Sequence, residues 1–249
     1  MLDSHCHLDR YADPLAVARE AERQGTFVIA VTNLPSHFAA GVPHTRALKT
    51  VRLALGLHPL AVADHEKELP LFIELLAQTS FVGEVGLDFS REGMATKEQQ
   101  VRSFRTVAEH VSHAGKIVSV HSRGAESTVV AIAKEFGLQT VIFHWYSGTL
   151  FTLKSAVAAG YYFSINPAMV LSAKGKEIIR RIPREQMLTE TDGPHVLIDG
   201  APARPWDVSR VEEHLAAIWQ CSSANARRQV WQNFRKLVSV LPSANSQNH

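Results

Sequence analysis

The sequence predicts an α/β chain wound as one TIM (β/α)8 barrel, on three observations. Eight short β-rich runs recur along the chain, and most are followed by a segment of helical periodicity, the alternation of a parallel sheet wrapped by helices. The 249 residues, 45% of them hydrophobic, suit one barrel core, although the length alone would also allow two average domains. No long linker, internal repeat or low-complexity tract breaks the alternation. A doubly wound sheet would more often stop at about five to seven strands.

In chain order, strands are expected over residues 2–7, 27–32, 51–57, 81–85, 116–121, 140–144, 161–165 and 186–191. The clearest helix is expected over 97–114, where Val101, Phe104, Val107, Ala108 and Val111 recur as one apolar stripe that ends at Gly115. Thr96 is the expected N-cap, with Gln99 reaching back to complete a capping box. Two closing helices are expected over 208–220 and 226–240. The barrel domain is thus placed at 1–241, and the polar residues 242–249, which lack periodicity, are expected to be a disordered tail.

Twenty-six Lys and Arg against 24 Asp and Glu leave a net charge of +2, too mild to demand a polyanion through bulk charge, so phosphate contacts must be local. Apolar runs such as Phe27-Val28-Ile29-Ala30-Val31 fall far short of the roughly 18 residues of a membrane span, so no membrane partner is expected. Met1-Leu2-Asp3-Ser4-His5 resembles no secretory leader, and Cys6 and Cys221 cannot frame a disulfide scaffold. A cytoplasmic location is expected. The 13 histidines are the compositional oddity, since imidazole is both a metal ligand and a general acid or base.

Metal-competent side chains sit at the C-terminal ends of five of the predicted strands, where barrel active sites lie. On the first, His5 and His7 share a face while Cys6 points the other way. On the fourth, Glu84 stands among apolar and glycine residues, where a charge needs a cation. The fifth ends on His121, the sixth on His144, and the eighth on Asp192 before Gly193-Pro194 turns the chain. Each alone could be a satisfied core residue; five at one rim point to a metal site.

Four imidazoles and two carboxylates exceed what a single catalytic zinc site takes from its protein. Two divalent ions are therefore expected, with His5, His7 and Asp192 on one, His121 and His144 on the other, and Glu84 bridging them. Such a pair stabilises both the attacking and the leaving oxygen of a displacement at phosphorus, which suits phosphodiester hydrolysis. Asp192 could also take the proton of the attacking water, giving Glu84 and Asp192 the catalytic roles. Mixed ligation points to Zn²⁺, Mn²⁺ or Fe²⁺, with Mg²⁺ also able to serve.

Asp3-Ser4-His5-Cys6-His7-Leu8-Asp9, Gly56-Leu57-His58-Pro59, Gly83-Glu84-Val85-Gly86-Leu87-Asp88-Phe89, Val120-His121-Ser122-Arg123 and Glu190-Thr191-Asp192-Gly193-Pro194, taken in order, resemble the motifs of TatD-family metal-dependent deoxyribonucleases. The resemblance spans nearly the whole chain, to Asn233. It implies a barrel of the metal-dependent hydrolase type, a bound divalent pair, and hydrolysis of DNA, typically exonucleolytic. It also implies the ligands His5, His7, Glu84, His121, His144 and Asp192. Two segments depart from the family: Trp145-Tyr146-Ser147-Gly148 stands where Cys-Phe-Ser-Gly is usual, and Phe163-Ser164-Ile165-Asn166-Pro167 lacks the usual Ser-Gly ending. With Tyr11-Ala12-Asp13-Pro14 and Arg204-Pro205-Trp206-Asp207-Val208, these departures are similar to the TatD-like component, QatD, of bacterial Qat phage-defence cassettes. That narrower resemblance implies a role in antiviral defence and other cassette subunits as partners.

His58 could donate to a phosphate or simply support a ligand. Arg123 offers the planar fork that phosphate favours. Trp145 and Trp206 could stack on bases or pack. Lys174, Lys176, Arg180 and Arg181 read best as a solvated helix face, and Cys6 as a small core residue. Two competing functions fit the same barrel: a small-molecule amidohydrolase or deaminase, and a non-catalytic subunit of a defence complex. The deaminases of that architecture look different, with one metal and a separate Glu as proton donor.

Overall fold

Each β-rich run pairs in parallel with the next, so the eight strands lie side by side in chain order. The structure is a computed structural model that describes residues 1–241. The tail expected at 242–249 lies outside the described residues. The strands are β1 (Leu2–Cys6), β2 (Phe27–Val31), β3 (Val51–Leu57), β4 (Phe81–Gly86), β5 (Ile117–His121), β6 (Val141–His144), β7 (Tyr162–Ile165) and β8 (Met187–Thr189). Around them run α1 (Pro14–Arg23), α2 (Pro35–Thr45), α3 (His65–Leu75), α4 (Lys97–Ala114), α5 (Glu126–Glu135), α6 (Leu150–Ala158), α7 (Pro167–Leu171), α8 (Ala173–Ile179), α9 (Val208–Ile218) and α10 (Ser223–Val238). This is the expected (β/α)8 barrel. Its main apolar core lies between the strands and the helix ring, from Leu2 and Ile29 through Phe104 and Val111 to Phe234. A smaller core under β1 gathers Cys6, Tyr11, Val17 and Val28.

Where the last strand meets the first, side chains carry the closure. Thr189 Oγ1 donates to the Leu2 carbonyl at 2.5 Å, and Ser4 Oγ donates to the Thr189 carbonyl at 3.0 Å. The buried Asp3 carboxylate accepts the Thr191 N–H at 3.0 Å and its hydroxyl at 2.5 Å. One turn further, the Asp192 N–H reaches the His5 carbonyl at 3.0 Å and the His7 N–H reaches the Gly193 carbonyl at 2.8 Å. This seam places His5 of β1 and His7, just past its end, beside Asp192. Such buried groups would be costly if left unpaired.

The helix over Lys97–Ala114 forms with Phe104, Val107, Ala108 and Val111 of the expected stripe buried, Val101 half-buried beside them, and Gly115 closing it at φ 57°. Its N-terminus differs from expectation. Met94–Thr96 already make a 3-10 turn, in which the Thr96 N–H donates to the Gly93 carbonyl at 3.0 Å. No orphan donor is left there for Gln99, which instead donates to the Val62 carbonyl at 3.1 Å. The Thr96 hydroxyl donates to Gly93 and accepts from Gln100 at 2.9 Å, so the capping box is absent. The second closing helix begins earlier than expected because Ser222 accepts the Asn225 N–H and starts it.

Candidate metal centre

The centre is built around Glu84, which a local irregularity turns into the barrel. The register of β4 shifts against both neighbours, between Leu55 and Leu57 of β3 and between Val82 and Val85 of its own strand, a bulge that re-aims a side chain. Glycine is required alongside. A Cβ on Gly56 would stand 1.5 Å from the Thr32 carbonyl oxygen, and one on Gly86, at φ 133°, 2.1 Å from that of His121.

The two oxygens of Glu84 face different partners. Oε2 lies 3.2 Å from His7 Nε2, 3.6 Å from His5 Nε2 and 3.5 Å from His58 Nε2. Oε1 lies 2.6 Å from His121 Nδ1 and 2.8 Å from His144 Nε2. Asp192 closes the first group, with Oδ1 3.7 Å from His5 Nε2 and 3.6 Å from His7 Nε2. The His5 and His144 rings stack at 3.9 Å and join the two halves. Donor atoms within reach of a common ion fall into three overlapping sets: His5, His7 and Glu84; His5, His144 and Asp192; and His58, Glu84 and His121. All six residues expected as ligands are therefore together, with His58 standing beside them.

Burial alone would raise Glu84, but the imidazoles of His58, His144 and His121 outweigh it and hold its carboxyl well below the usual range. Burial likewise acts to lower His7, His121 and His144, yet neighbouring carboxylates leave all three raised. Burial pushes Asp192 up to about 7. His5 goes the other way, held well below its ordinary value by burial and by His144. Its Nδ1 meets Ser119 Oγ at 2.8 Å, while its buried Nε2 has no hydrogen-bond partner although it points at both carboxylates. That orphaned nitrogen, among imidazoles and carboxylates buried together, fits a divalent cation.

Sequence reasoning missed the residues that hold the candidate ligands in place. Asp88 Oδ2 lies 2.8 Å from His121 Nε2; burial would raise it, but His121 and Ser90 hold it at about 2. Glu190 is fully buried at 3.8 Å from His144 Nδ1 and accepts from Asn166 Nδ2 at 3.1 Å, the Trp145 N–H at 3.0 Å and the Ser164 hydroxyl. Such outer partners fix ring orientation. The signal was present for Glu190, which shares strand parity with Asp192. Asn166 also caps α7 by accepting the Met169 N–H at 2.9 Å, a physical account of the Asn-Pro departure at the end of β7.

The centre opens into a cavity of about 670 Å³, lined among others by Asn33, His58, Arg123, Trp145, Ser147 and His195. The Leu60 N–H donates to His58 Nδ1 at 3.1 Å, so the proton of a neutral His58 sits on Nε2, facing the cavity. Trp206 packs instead against the small core under β1. The basic stretch of α8 does not line the cavity, and Glu177 pairs with Arg181 at 2.7 Å and Arg180 at 3.9 Å, so the solvated-face reading holds.

A family model described as TatD related DNase matches residues 2–239. The human protein named deoxyribonuclease TATDN3 is 26% identical, over 97% of this chain and 95% of its own. An uncharacterized metal-dependent hydrolase of Methanocaldococcus jannaschii is 27% identical over 93% and 94%. The Erwinia amylovora protein named 3'-5' ssDNA/RNA exonuclease TatD is 28% identical over 76% and 75%. Among solved structures, the TatD homolog YjjV of Escherichia coli superposes with a TM-score of 0.86 at 24% identity, covering 95% of this chain and 97% of that one. This last likeness is one of fold.

Proposed function

This chain belongs to the TatD related DNase family, and we propose that its rim holds two divalent ions and hydrolyses phosphodiester bonds at the ends or in single strands of DNA. The observation that carries the two-ion reading is the division of Glu84, with one oxygen facing His5 and His7 and the other facing His121 and His144. Zn²⁺, Mn²⁺ and Mg²⁺ all suit the mixed donor set. When bound, the ions supply the positive charge that the developing charge at phosphorus requires.

The protein's own groups do the rest. Asp192, beside His5 and His7, takes the proton of the attacking water. His58 donates from Nε2 to a phosphate oxygen, and Arg123, on the same cavity wall, grips a phosphate with its fork. A cavity at the mouth of the barrel accepts a strand terminus more easily than the middle of a duplex.

The finer reading is a cytoplasmic component of a phage-defence cassette, acting with its other subunits. It rests on the residues that depart from the family pattern. Two of those segments pack together: the Tyr11 hydroxyl donates to the Ala203 carbonyl, and the Arg204 guanidinium lies over the Tyr11 ring at 4.9 Å. Both cysteines are free, as a reducing compartment allows.

Hydrolysis of labelled single- and double-stranded oligonucleotides tests the nuclease reading. Activity should vanish on exhaustive chelation and return with Mn²⁺ or Mg²⁺. Undiminished hydrolysis after confirmed loss of metal would contradict it.

A further inference from the structure

Trp145 holds a backbone conformation that its side chain disfavours. It directly follows His144 at the end of β6, and its φ is 37°, a left-handed value that bulky residues seldom adopt. Its N–H is fixed by Glu190 Oε1 at 3.0 Å, and that carboxylate is itself pinned by Asn166 and Ser164. Unfavourable backbone geometry persists where the surroundings over-determine it, and it clusters at functional sites. Here its consequence is where the ring goes. Tyr146, the next residue, folds inward against Phe143 and Phe163. Trp145 stays 37% exposed, on the cavity wall it shares with Arg123, Ser147 and His144.

A flat aromatic face kept half in water, on one wall with a guanidinium and beside a centre suited to phosphate chemistry, is equipped to take a nucleobase. We propose that Trp145 is a stacking platform for the unpaired base next to the scissile phosphate, so that the site selects strand ends and single strands. The inference rests on the nuclease reading. A base inside a duplex has both faces covered by its neighbours and must be unstacked before it can meet the indole. Trp145 is thus a specificity-determining residue, and Glu190 positions it.

The test is a cycle on the metal-loaded protein, comparing an ordinary single strand with one whose terminal residues carry a tetrahydrofuran in place of the sugar and base. In the wild type, loss of the base should lower kcat/KM about tenfold. Trp145→Gly, which removes the ring and suits a positive φ, should lower kcat/KM on the ordinary strand by a similar factor. In that variant the two strands should then differ by less than about twofold, because the base and the ring act on each other. Trp145→Phe should restore most of the difference. Phe151, 86% exposed at the start of α6 and outside the cavity lining, is the control, and Phe151→Ala should keep the wild-type difference. Quenching of tryptophan fluorescence by the ordinary strand should be largely lost in Trp145→Gly.

Additive losses, with an undiminished difference between the strands in Trp145→Gly, would overturn the inference while leaving the nuclease reading intact. A metal-loaded wild type that neither binds nor cuts either strand would overturn both.

Discussion

Glu84→Gln should lower hydrolysis by roughly a hundred- to a thousand-fold, the scale on which one preorganised electrostatic contact is worth in a transition state. The substitution keeps the shape of the side chain and removes its charge. Each oxygen now faces imidazoles, Oε1 at 2.6 and 2.8 Å and Oε2 at 3.2 Å and beyond. A neutral amide can offer a single oxygen, and its NH₂ group is a donor that no cation accepts. One half of the centre therefore loses its anionic ligand outright. Elemental analysis together with kcat checks the point: metal content should fall below the wild-type value in parallel with rate. A variant that keeps its full metal and a near-normal kcat would refute Glu84 as the bridge.

Asp192→Asn separates proton transfer from assembly. Asp192 stands at the edge of the cavity, 3.6 Å or more from the nearest imidazole nitrogen, whereas Glu84 lies at the middle of the cluster. Asn occupies the same space but cannot take a proton, so kcat should drop by about two to four orders of magnitude, the usual contribution of a positioned base. KM and most of the metal content should change far less. Unchanged kcat at full metal loading would move the base to another residue of the cavity.

The barrel was legible because most of its strands, buried on both faces, read as near-continuous apolar runs with a polar residue at the rim. The same punctuation pointed to the candidate metal centre, since His5, His7, Glu84, His121, His144 and Asp192 stand in or just past the strands, where charge is expensive. What stayed hidden was the support for those residues. Asp88 reaches His121 only because Gly86 lets the two strands approach, and Glu190 meets His144, Asn166 and Trp145 across three neighbouring strand ends. Such contacts depend on closure of the whole barrel, and local spacing marks only that Glu190 and Asp192 share a face, not what they meet. The capping box at Thr96 failed for a related reason, since a preceding 3-10 turn had already used the N–H that Gln99 needed.

The number of divalent ions that full activity requires decides whether Glu84 joins two metals. Protein stripped by chelation and titrated with Mn²⁺, with bound metal and DNA hydrolysis followed in the same samples, should reach its maximal rate only as the second equivalent binds. A maximal rate already attained at one equivalent, with no further ion bound, would contradict a centre in which Glu84 joins two metals.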